Sequence, residues 1–149
     1  MTTQANAPIR CAIIGLGIGK FHYEGYTEAD GAKVVAVADL SEERLSRYHD
    51  ALGPDYCFSD YREMLDQARP DLVSVALPNK LHEEVTIAAL EAGAHVLCEK
   101  PMAMKVEQAM RMKQAAKRCG RQLGINLNQL YAAKAETFKA WIEAGNLGE

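Results

Sequence analysis

Short apolar runs, rich in valine, isoleucine and leucine, alternate along this chain with longer stretches of helical periodicity. A short, continuous apolar run suits a strand that is buried on both faces, and parallel strands need a crossover helix between them. The alternation therefore predicts an α/β fold with a doubly wound parallel sheet. Strands are predicted at residues 10–14, 33–38, 56–58, 72–76, 95–98 and 122–125, and helices at residues 20–28, 41–52, 61–68, 81–92, 105–119 and 131–144.

A single domain is expected over residues 1–149. A chain of this length buries roughly 70% of its unfolded surface, which is enough to form a core. The sequence contains no internal repeat, no low-complexity segment and no linker. The last predicted helix places Phe138, Trp141 and Ile142 at positions i, i+3 and i+4, so it carries an apolar stripe that we expect to be buried.

Charge and cysteine usage argue against several kinds of partner. The formal net charge is -3 and the signs are mixed along the chain, so no basic stripe is available for nucleic acid. The chain has no apolar run long enough to cross a membrane and no signal-peptide core, so we expect no membrane partner and a cytoplasmic location. The four cysteines form no C-x-x-C pair, so neither a metal site nor a disulfide framework is predicted.

A glycine turn follows the first predicted strand, in the segment GLGIGKFH. Its backbone N–H groups and the start of the next helix can receive a phosphate group. In a dinucleotide-binding G-x-G-x-x-G fingerprint Gly15 and Gly17 fit, but Lys20 occupies the third glycine position. With Gly19 the segment is instead an intact G-x-G-x-G, which many methyl-donor enzymes use. A tight turn without any ligand is the remaining interpretation.

Asp39 ends the second predicted strand, 19 residues after Lys20. An acidic side chain at this position accepts hydrogen bonds from the adenosine ribose and repels a 2'-phosphate, which favours NAD over NADP. Asp39 could alternatively cap the next helix, a role that Ser41 also suits. Methyltransferases often carry an acidic residue two positions before the first glycine, and Ile13 stands there instead.

Polar residues also follow two later strands. Asn79 comes after the strand at 72–76, and Glu99 and Lys100 come after the strand at 95–98. Ligands of open α/β sheets bind beyond the carboxyl ends of the strands, so these side chains are candidates for the same crevice. A Glu-Lys pair at a strand end is, without further context, more often a solvated turn.

In the order and spacing of five segments, the chain resembles the nucleotide-binding half of the Gfo/Idh/MocA oxidoreductases, sugar and inositol dehydrogenases with a Rossmann fold. The resemblance extends from residue 9 to residue 149, and its most specific part is the stretch A-L-x-A-G-x-H-V-x-x-E-K-P. The segments are GLGIGKFH, VVAVAD, ALPNKLH, ALEAGAHVLCEKPMA and WIEAGNLGE.

The resemblance implies a set of cofactor-binding residues and one catalytic residue. Lys100 is implied as the catalytic lysine that contacts substrate, and the Lys100–Pro101 bond as a candidate cis peptide. NAD is the implied cofactor, with NADP less favoured, and a small sugar or polyol is the implied substrate. The implied cofactor-binding residues are Gly15, Leu16, Gly17, Ile18, His22, Asp39, Leu77, Pro78, Asn79, His82, Glu99, Lys100 and Asn126.

Two departures from the family pattern affect these expectations. Asn128 stands where relatives commonly carry an arginine. Relatives also continue beyond the segment GNLGE into a second domain that supplies the substrate pocket, a catalytic histidine and usually an oligomer interface. His49 and His95 are predicted to be structural, so we expect this chain alone to be incomplete for catalysis and a candidate for self-association. The alternative is a stand-alone, non-catalytic nucleotide-binding or interaction module.

Overall fold

The computed structural model describes residues 7–131 and 133–146, and its centre is a parallel six-stranded sheet. The strands are β1 (Ile9–Ile14), β2 (Ala32–Ala38), β3 (Cys57–Phe58), β4 (Leu72–Val75), β5 (His95–Glu99) and β6 (Leu123–Asn126). The α-helices are α1 (Gly19–Glu28), α2 (Glu42–Ser46), α3 (His49–Leu52), α4 (Tyr61–Ala68), α5 (His82–Glu91), α6 (Val106–Cys119) and α7 (Ala133–Glu143). Three 3₁₀ turns lie at Pro54–Tyr56, Asn79–Leu81 and Asn128–Tyr131.

The strand order is β3-β2-β1-β4-β5-β6, which is the order of a Rossmann fold. The chain winds outward from β1 in one direction, then returns to β4 on the other side of β1. Ile14 at the end of β1 pairs with Ala38 of β2 and with Val75 of β4. The carboxyl ends of the central strands therefore lie side by side, and a crevice opens where the order reverses. The predicted doubly wound parallel sheet is confirmed.

Alternating side chains of the strands feed two cores, one on each face of the sheet. Ala12 and Ile14 of β1 belong to the larger core, together with buried residues of α4, α5 and α6. Ile13 belongs to a smaller core, which includes Leu16 and Leu45. Because both faces are covered, the buried parts of the strands are mostly apolar, with Ser74 of β4 and Glu99 at the end of β5 as buried polar exceptions.

Several helix boundaries differ from the prediction. The helix predicted at residues 41–52 is two short helices, α2 and α3. Between them, the ring of Tyr48 packs against that of Tyr23, with the ring centroids 4.7 Å apart. Pro78 precedes a 3₁₀ turn and its carbonyl accepts the Leu81 N–H at 2.9 Å, so α5 begins one residue later than predicted. Ser41 caps α2 as predicted, accepting the N–H of Arg44.

The apolar stripe of α7 is not buried among the described residues, contrary to the prediction. Phe138, Trp141 and Ile142 are 55%, 49% and 64% exposed. Phe138 and Trp141 contact each other edge to face, with ring centroids 6.0 Å apart. The parts of the predicted helix at residue 132 and of the segment GNLGE at residues 147–149 lie outside the described residues.

Candidate functional site

The first two glycines of the turn after β1 create an open backbone surface. Gly15 has φ 91°, and a Cβ there would collide with the carbonyl oxygen of Ala76. Gly17 is exposed, and the nearest atom to a Cβ placed there is Nη1 of Arg44 at 3.9 Å. Gly15 is therefore required by the fold, whereas Gly17 leaves the backbone N–H groups accessible to a ligand.

Gly19 performs the packing role that the fingerprint assigns to a glycine at the position of Lys20. A Cβ on Gly19 would lie 2.7 Å from Cγ2 of Ile13 and 3.3 Å from Cβ of Ala76, so a side chain would push α1 away from the sheet. Lys20 is exposed and its Nζ lies 4.8 Å from the ring centroid of Phe21. The turn is thus an intact G-x-G-x-G, and Lys20 points outward without disturbing the packing.

The Asp39 carboxylate connects the end of β2 to the glycine turn. Its Oδ2 accepts the N–H of Leu16 at 2.6 Å, and its Oδ1 accepts the N–H of Ser41 at 2.8 Å. The guanidinium of Arg44 lies 3.3 Å from Oδ2. Because Ser41 caps α2, Asp39 does not serve as the cap. Two carboxylate oxygens offer about four acceptor positions, so acceptor capacity remains for a ligand hydroxyl.

A cleft of about 680 Å³ opens between the glycine turn and the residues after β4. Gly15, Gly17 and Asp39 form one side, and Leu77 and Pro78 form the other. The lining is mostly apolar with a few polar groups, which is typical of a pocket for a small molecule or cofactor. Leu16 contributes its backbone N–H but its side chain is in the core. Asn79 is exposed in the 3₁₀ turn beyond Pro78, outside the lining of this cleft.

His82 does not line the cleft, in contrast to the expectation from the family resemblance. Its side chain is completely buried, with one ring nitrogen 2.8 Å from the carbonyl oxygen of Leu77 and the other 2.8 Å from that of Pro101. The imidazole therefore joins the loop after β4 to the loop after β5. The Lys100–Pro101 bond in the second loop is cis, as the resemblance implied.

A second pocket of about 570 Å³ lies beyond β5 and β6. It brings together His22, Glu99 and Asn126, with Ile18 and Phe21 as its apolar wall. Ile18 lines both pockets, so they adjoin the same turn after β1. The resemblance implied His22, Glu99 and Asn126 as cofactor-binding residues, and the fold brings their three side chains into contact.

Glu99 is 5% exposed and is surrounded by hydrogen-bond donors. Oε1 accepts Nδ2 of Asn126 at 2.6 Å and lies 3.0 Å from Nε2 of His22. Oε2 accepts the backbone N–H of Lys100 at 3.1 Å, and the Lys100 ammonium, half exposed, lies 3.9 Å away. Burial acts to raise the pKa of Glu99, but the hydrogen bonds from Asn126, His22 and Lys100 together lower it below its usual value. Glu99 is therefore a carboxylate at neutral pH.

Among the residues that were missed from the sequence are one in the first cleft, one that lines the second pocket and one buried beneath it. Arg44 lies in the cleft beside Asp39, and Tyr26 and Ser74 hydrogen-bond beneath His22. Ser74 carried a signal, because a serine inside the run LVSVAL is a polar residue in a strand predicted to be buried. His95, predicted to be structural, accepts the N–H of Gln122 at its Nδ1.

Neither a metal centre nor a membrane span is found in the part of the chain that the structure describes. No group of three or more His, Cys, Asp or Glu side chains in residues 7–131 and 133–146 is arranged to hold a metal ion. None of the described helices is both long enough and apolar enough to cross a bilayer. The four cysteines are free thiols, and burial, the largest influence, raises the pKa of Cys98 to about 11.

Comparison with known proteins gives consistent matches over nearly the whole chain. The profile of GFO_IDH_MocA, described as an oxidoreductase family with an NAD-binding Rossmann fold, matches residues 9–127. D-glucoside 3-dehydrogenase of Escherichia coli K12 is 35% identical over 150 aligned residues, which cover 99% of this chain and 43% of the relative. Myo-inositol 2-dehydrogenase of Thermotoga maritima is 30% identical, over 95% of this chain and 42% of the relative.

Solved structures of other proteins have the same fold as this chain. Scyllo-inositol dehydrogenase of Lactobacillus casei, crystallised with bound NAD(H) and scyllo-inositol, superposes with a TM-score of 0.84 at 26% identity. That match covers 95% of this chain and 43% of the dehydrogenase. The chain thus spans less than half the length of the relatives it matches.

Proposed function

The chain belongs to the Gfo/Idh/MocA oxidoreductase family, and on that premise we propose that it is the NAD-binding half of a sugar or polyol dehydrogenase. The reaction would transfer a hydride between the carbinol carbon of the substrate and the nicotinamide ring. One observation carries the proposal: Asp39 beyond β2 and the Glu99–Lys100 pair beyond β5 lie on opposite sides of the glycine turn after β1. This is the separation that the two nucleoside halves of a dinucleotide require.

The residues present fit the adenosine and diphosphate parts of NAD. The apolar cleft beside Asp39 suits an adenosine, and the Asp39 carboxylate has acceptor capacity for its ribose hydroxyls. Gly17 leaves space at the turn where a side chain would obstruct a diphosphate. The first N–H groups of α1, which begins at Gly19 with no side-chain cap from Ile18, face the same turn.

Glu99 and Lys100 fit the nicotinamide end. NAD supplies the hydride acceptor when it is bound. Lys100 is half exposed, and its ammonium lies 3.9 Å from Oε2 of Glu99, a residue that lines the second pocket. From there the ammonium can donate a hydrogen bond to a substrate hydroxyl, with the buried Glu99 carboxylate behind it. We assign Lys100 the role of orienting the substrate hydroxyl.

We also propose that the acid–base group for the substrate proton comes from residues outside this chain. The ring nitrogens of His22 and His82 all have partners within the protein, so neither histidine is free to take that proton. The relatives are more than twice as long as this chain, which leaves room for such a group. The alternative is that this chain acts as a non-catalytic nucleotide-binding module, which would carry the same cofactor site.

Backbone NMR of the labelled chain tests the proposed orientation of the cofactor. NAD should shift the amide signals of Gly17 and Asp39 together with those of Glu99 and Lys100. ADP, which lacks the nicotinamide nucleoside, should shift only the first pair. Shifts produced by NAD that leave Glu99 and Lys100 unchanged would contradict the assignment of the second pocket.

A further inference from the structure

A chain of hydrogen bonds extends beneath the second pocket, through three separate elements of the fold. The Tyr26 hydroxyl of α1 lies 2.7 Å from Oγ of Ser74 in β4, and that Oγ lies 2.9 Å from Nδ1 of His22. Nε2 of His22 lies 3.0 Å from Oε1 of Glu99. Ser74 is completely buried, and His22 is 9% exposed. We propose that Tyr26, Ser74 and His22 are positioning residues that orient the Glu99 carboxylate at the nicotinamide end of the cleft. This proposal rests on the proposed function.

The direction of this chain follows from the chemistry of its last member. The Glu99 carboxylate only accepts hydrogen bonds, so Nε2 of His22 must carry a proton. In a neutral imidazole Nδ1 then carries a lone pair, which accepts a hydrogen bond from the hydroxyl of Ser74. Ser74 has no second proton, so its Oγ accepts from Tyr26. One direction therefore satisfies all the groups while His22 is neutral.

The Ser74 hydroxyl completes the tautomer of His22 that Glu99 requires, because it donates to the lone pair of Nδ1. The opposite tautomer would place the lone pair of Nε2 against the carboxylate at 3.0 Å, which is repulsive. Asn126 Nδ2 approaches the same nitrogen to 3.4 Å because both groups converge on Oε1 of Glu99. With Oε1 held by two donors, Oε2 remains directed at the backbone N–H and the ammonium of Lys100.

The cost of burying these groups indicates that the arrangement is not an incidental filling of space. A buried hydroxyl or imidazole that is left without a hydrogen-bond partner destabilises the fold, because its interaction with water is lost and not replaced. The network removes that cost only when all its members are present, because Ser74 is completely buried and has no access to solvent. Alanine or valine would fill the same position of a buried strand at no such cost.

The tautomer of His22 can be measured directly. Long-range ¹H–¹⁵N correlation spectra of the histidine side chains distinguish a protonated from an unprotonated ring nitrogen, and His22→Gln identifies the signals of His22 by their loss. In the wild-type chain at neutral pH we expect Nε2 to be protonated and Nδ1 to be a lone pair. Ser74→Ala removes the donor to Nδ1, so we expect the Nδ1 signal to move toward the value of an unbonded ring nitrogen, and Tyr26→Phe to move it less in the same direction.

Nucleotide binding separates positioning from a purely structural role. Ser74→Ala should weaken NAD binding about fivefold, the equivalent of roughly one hydrogen bond, while ADP binding stays unchanged. A general loss of structure would weaken both ligands together. Tyr23→Phe is the matched control, because Tyr23 is on the same helix and packs against Tyr48, outside the chain from Tyr26 to Glu99.

The proposal requires that Ser74→Ala change both the histidine signals of His22 and the ratio of NAD to ADP affinity. A wild-type His22 protonated at Nδ1, alone or together with Nε2, a Ser74→Ala variant whose Nδ1 signal does not move, or an unchanged ratio of NAD to ADP affinity would each overturn it. If the wild-type chain binds neither nucleotide, the proposed function fails, and the tautomer measurement alone then decides whether Ser74 orients His22.

Discussion

The carboxylate of Asp39 accepts the backbone N–H of Leu16 at 2.6 Å, which ties the end of β2 to the glycine turn after β1. The same carboxylate is the group that would receive the adenosine ribose. Asp39 thus shapes the turn, and under the proposed function its negative charge would face a 2'-phosphate of NADP.

Replacing Asp39 with alanine is expected to narrow the preference for NAD over NADP. The change removes the acceptor for the ribose hydroxyls and the charge that repels a phosphate, so NAD binding weakens and NADP binding improves. We expect the ratio of the two affinities to fall about tenfold or more, which corresponds to about 1.4 kcal/mol. Calorimetric titration of both cofactors measures it, and an unchanged ratio would remove Asp39 from the site.

Arg44 is expected to determine how well Asp39→Ala accepts NADP. In the native chain its guanidinium lies 3.3 Å from Asp39 Oδ2, and without Asp39 it is free to pair with a phosphate. The double variant Asp39→Ala/Arg44→Ala should therefore bind NADP several-fold more weakly than Asp39→Ala alone. Arg47→Ala in the same background is the matched control, because Arg47 pairs with Glu43 instead. Equal losses from both arginines would indicate only a general effect of charge.

Gly19→Ala tests the close packing of α1 on the sheet. A Cβ at this position would lie 2.7 Å from Cγ2 of Ile13, a buried side chain, so we expect a loss of about 1–3 kcal/mol in the free energy of unfolding. Gly25→Ala is a control in the same helix, where a Cβ meets no atom within 4 Å. That control should be neutral or stabilising by up to about 1 kcal/mol. Urea unfolding compares the two, and equal stabilities would refute the packing role of Gly19.

The lowered pKa of Glu99 predicts a pH dependence of stability. Burial acts to raise this pKa, but the hydrogen bonds from Asn126, His22 and Lys100 lower it below the usual 4.5. A carboxyl group with a lower pKa in the folded chain stabilises the fold above its unfolded pKa, and that stability is lost as the pH falls through the folded pKa. The free energy of unfolding should therefore decline below about pH 4.5.

Glu99→Gln should flatten this decline, since the amide does not titrate. Glu24→Gln provides the control, because Glu24 is exposed on α1. Thermal unfolding measured between neutral and acidic pH follows the effect. If Glu99→Gln and Glu24→Gln retain the same acid dependence as the wild type, Glu99 is not held as a carboxylate by its neighbours.

The sequence predicted the sheet because its signal is local. A buried parallel strand is an apolar run with a helix on either side, and the six predicted strands all appear, each within about two residues of its observed ends. The break between α2 and α3 was not predictable, because it depends on the contact of Tyr48 with Tyr23, a residue 25 positions earlier.

Site residues were predictable where their position next to a predicted strand determines their place in the fold. They were less predictable where side chains from distant parts of the sequence meet. The positions of Gly15, Gly17 and Asp39 were predictable, because these residues come directly after β1 and β2 in the sequence. The packing role of Gly19 depends on its distance to Ile13 and Ala76, which the fingerprint alone does not contain. The resemblance implied that His82 lines the cofactor channel, but its side chain is buried, with its ring nitrogens beside two backbone carbonyls. The link from Tyr26 to Glu99 joins residues 73 positions apart.

Calorimetric titration of this chain with NAD and with S-adenosylmethionine tests the central claim most directly. The G-x-G-x-G turn alone is compatible with either ligand, whereas the proposed function assigns Asp39, Glu99 and Lys100 to the two ends of a dinucleotide. We predict saturable, one-to-one binding of NAD and no binding of S-adenosylmethionine under the same conditions. Binding of S-adenosylmethionine without binding of NAD would contradict the account.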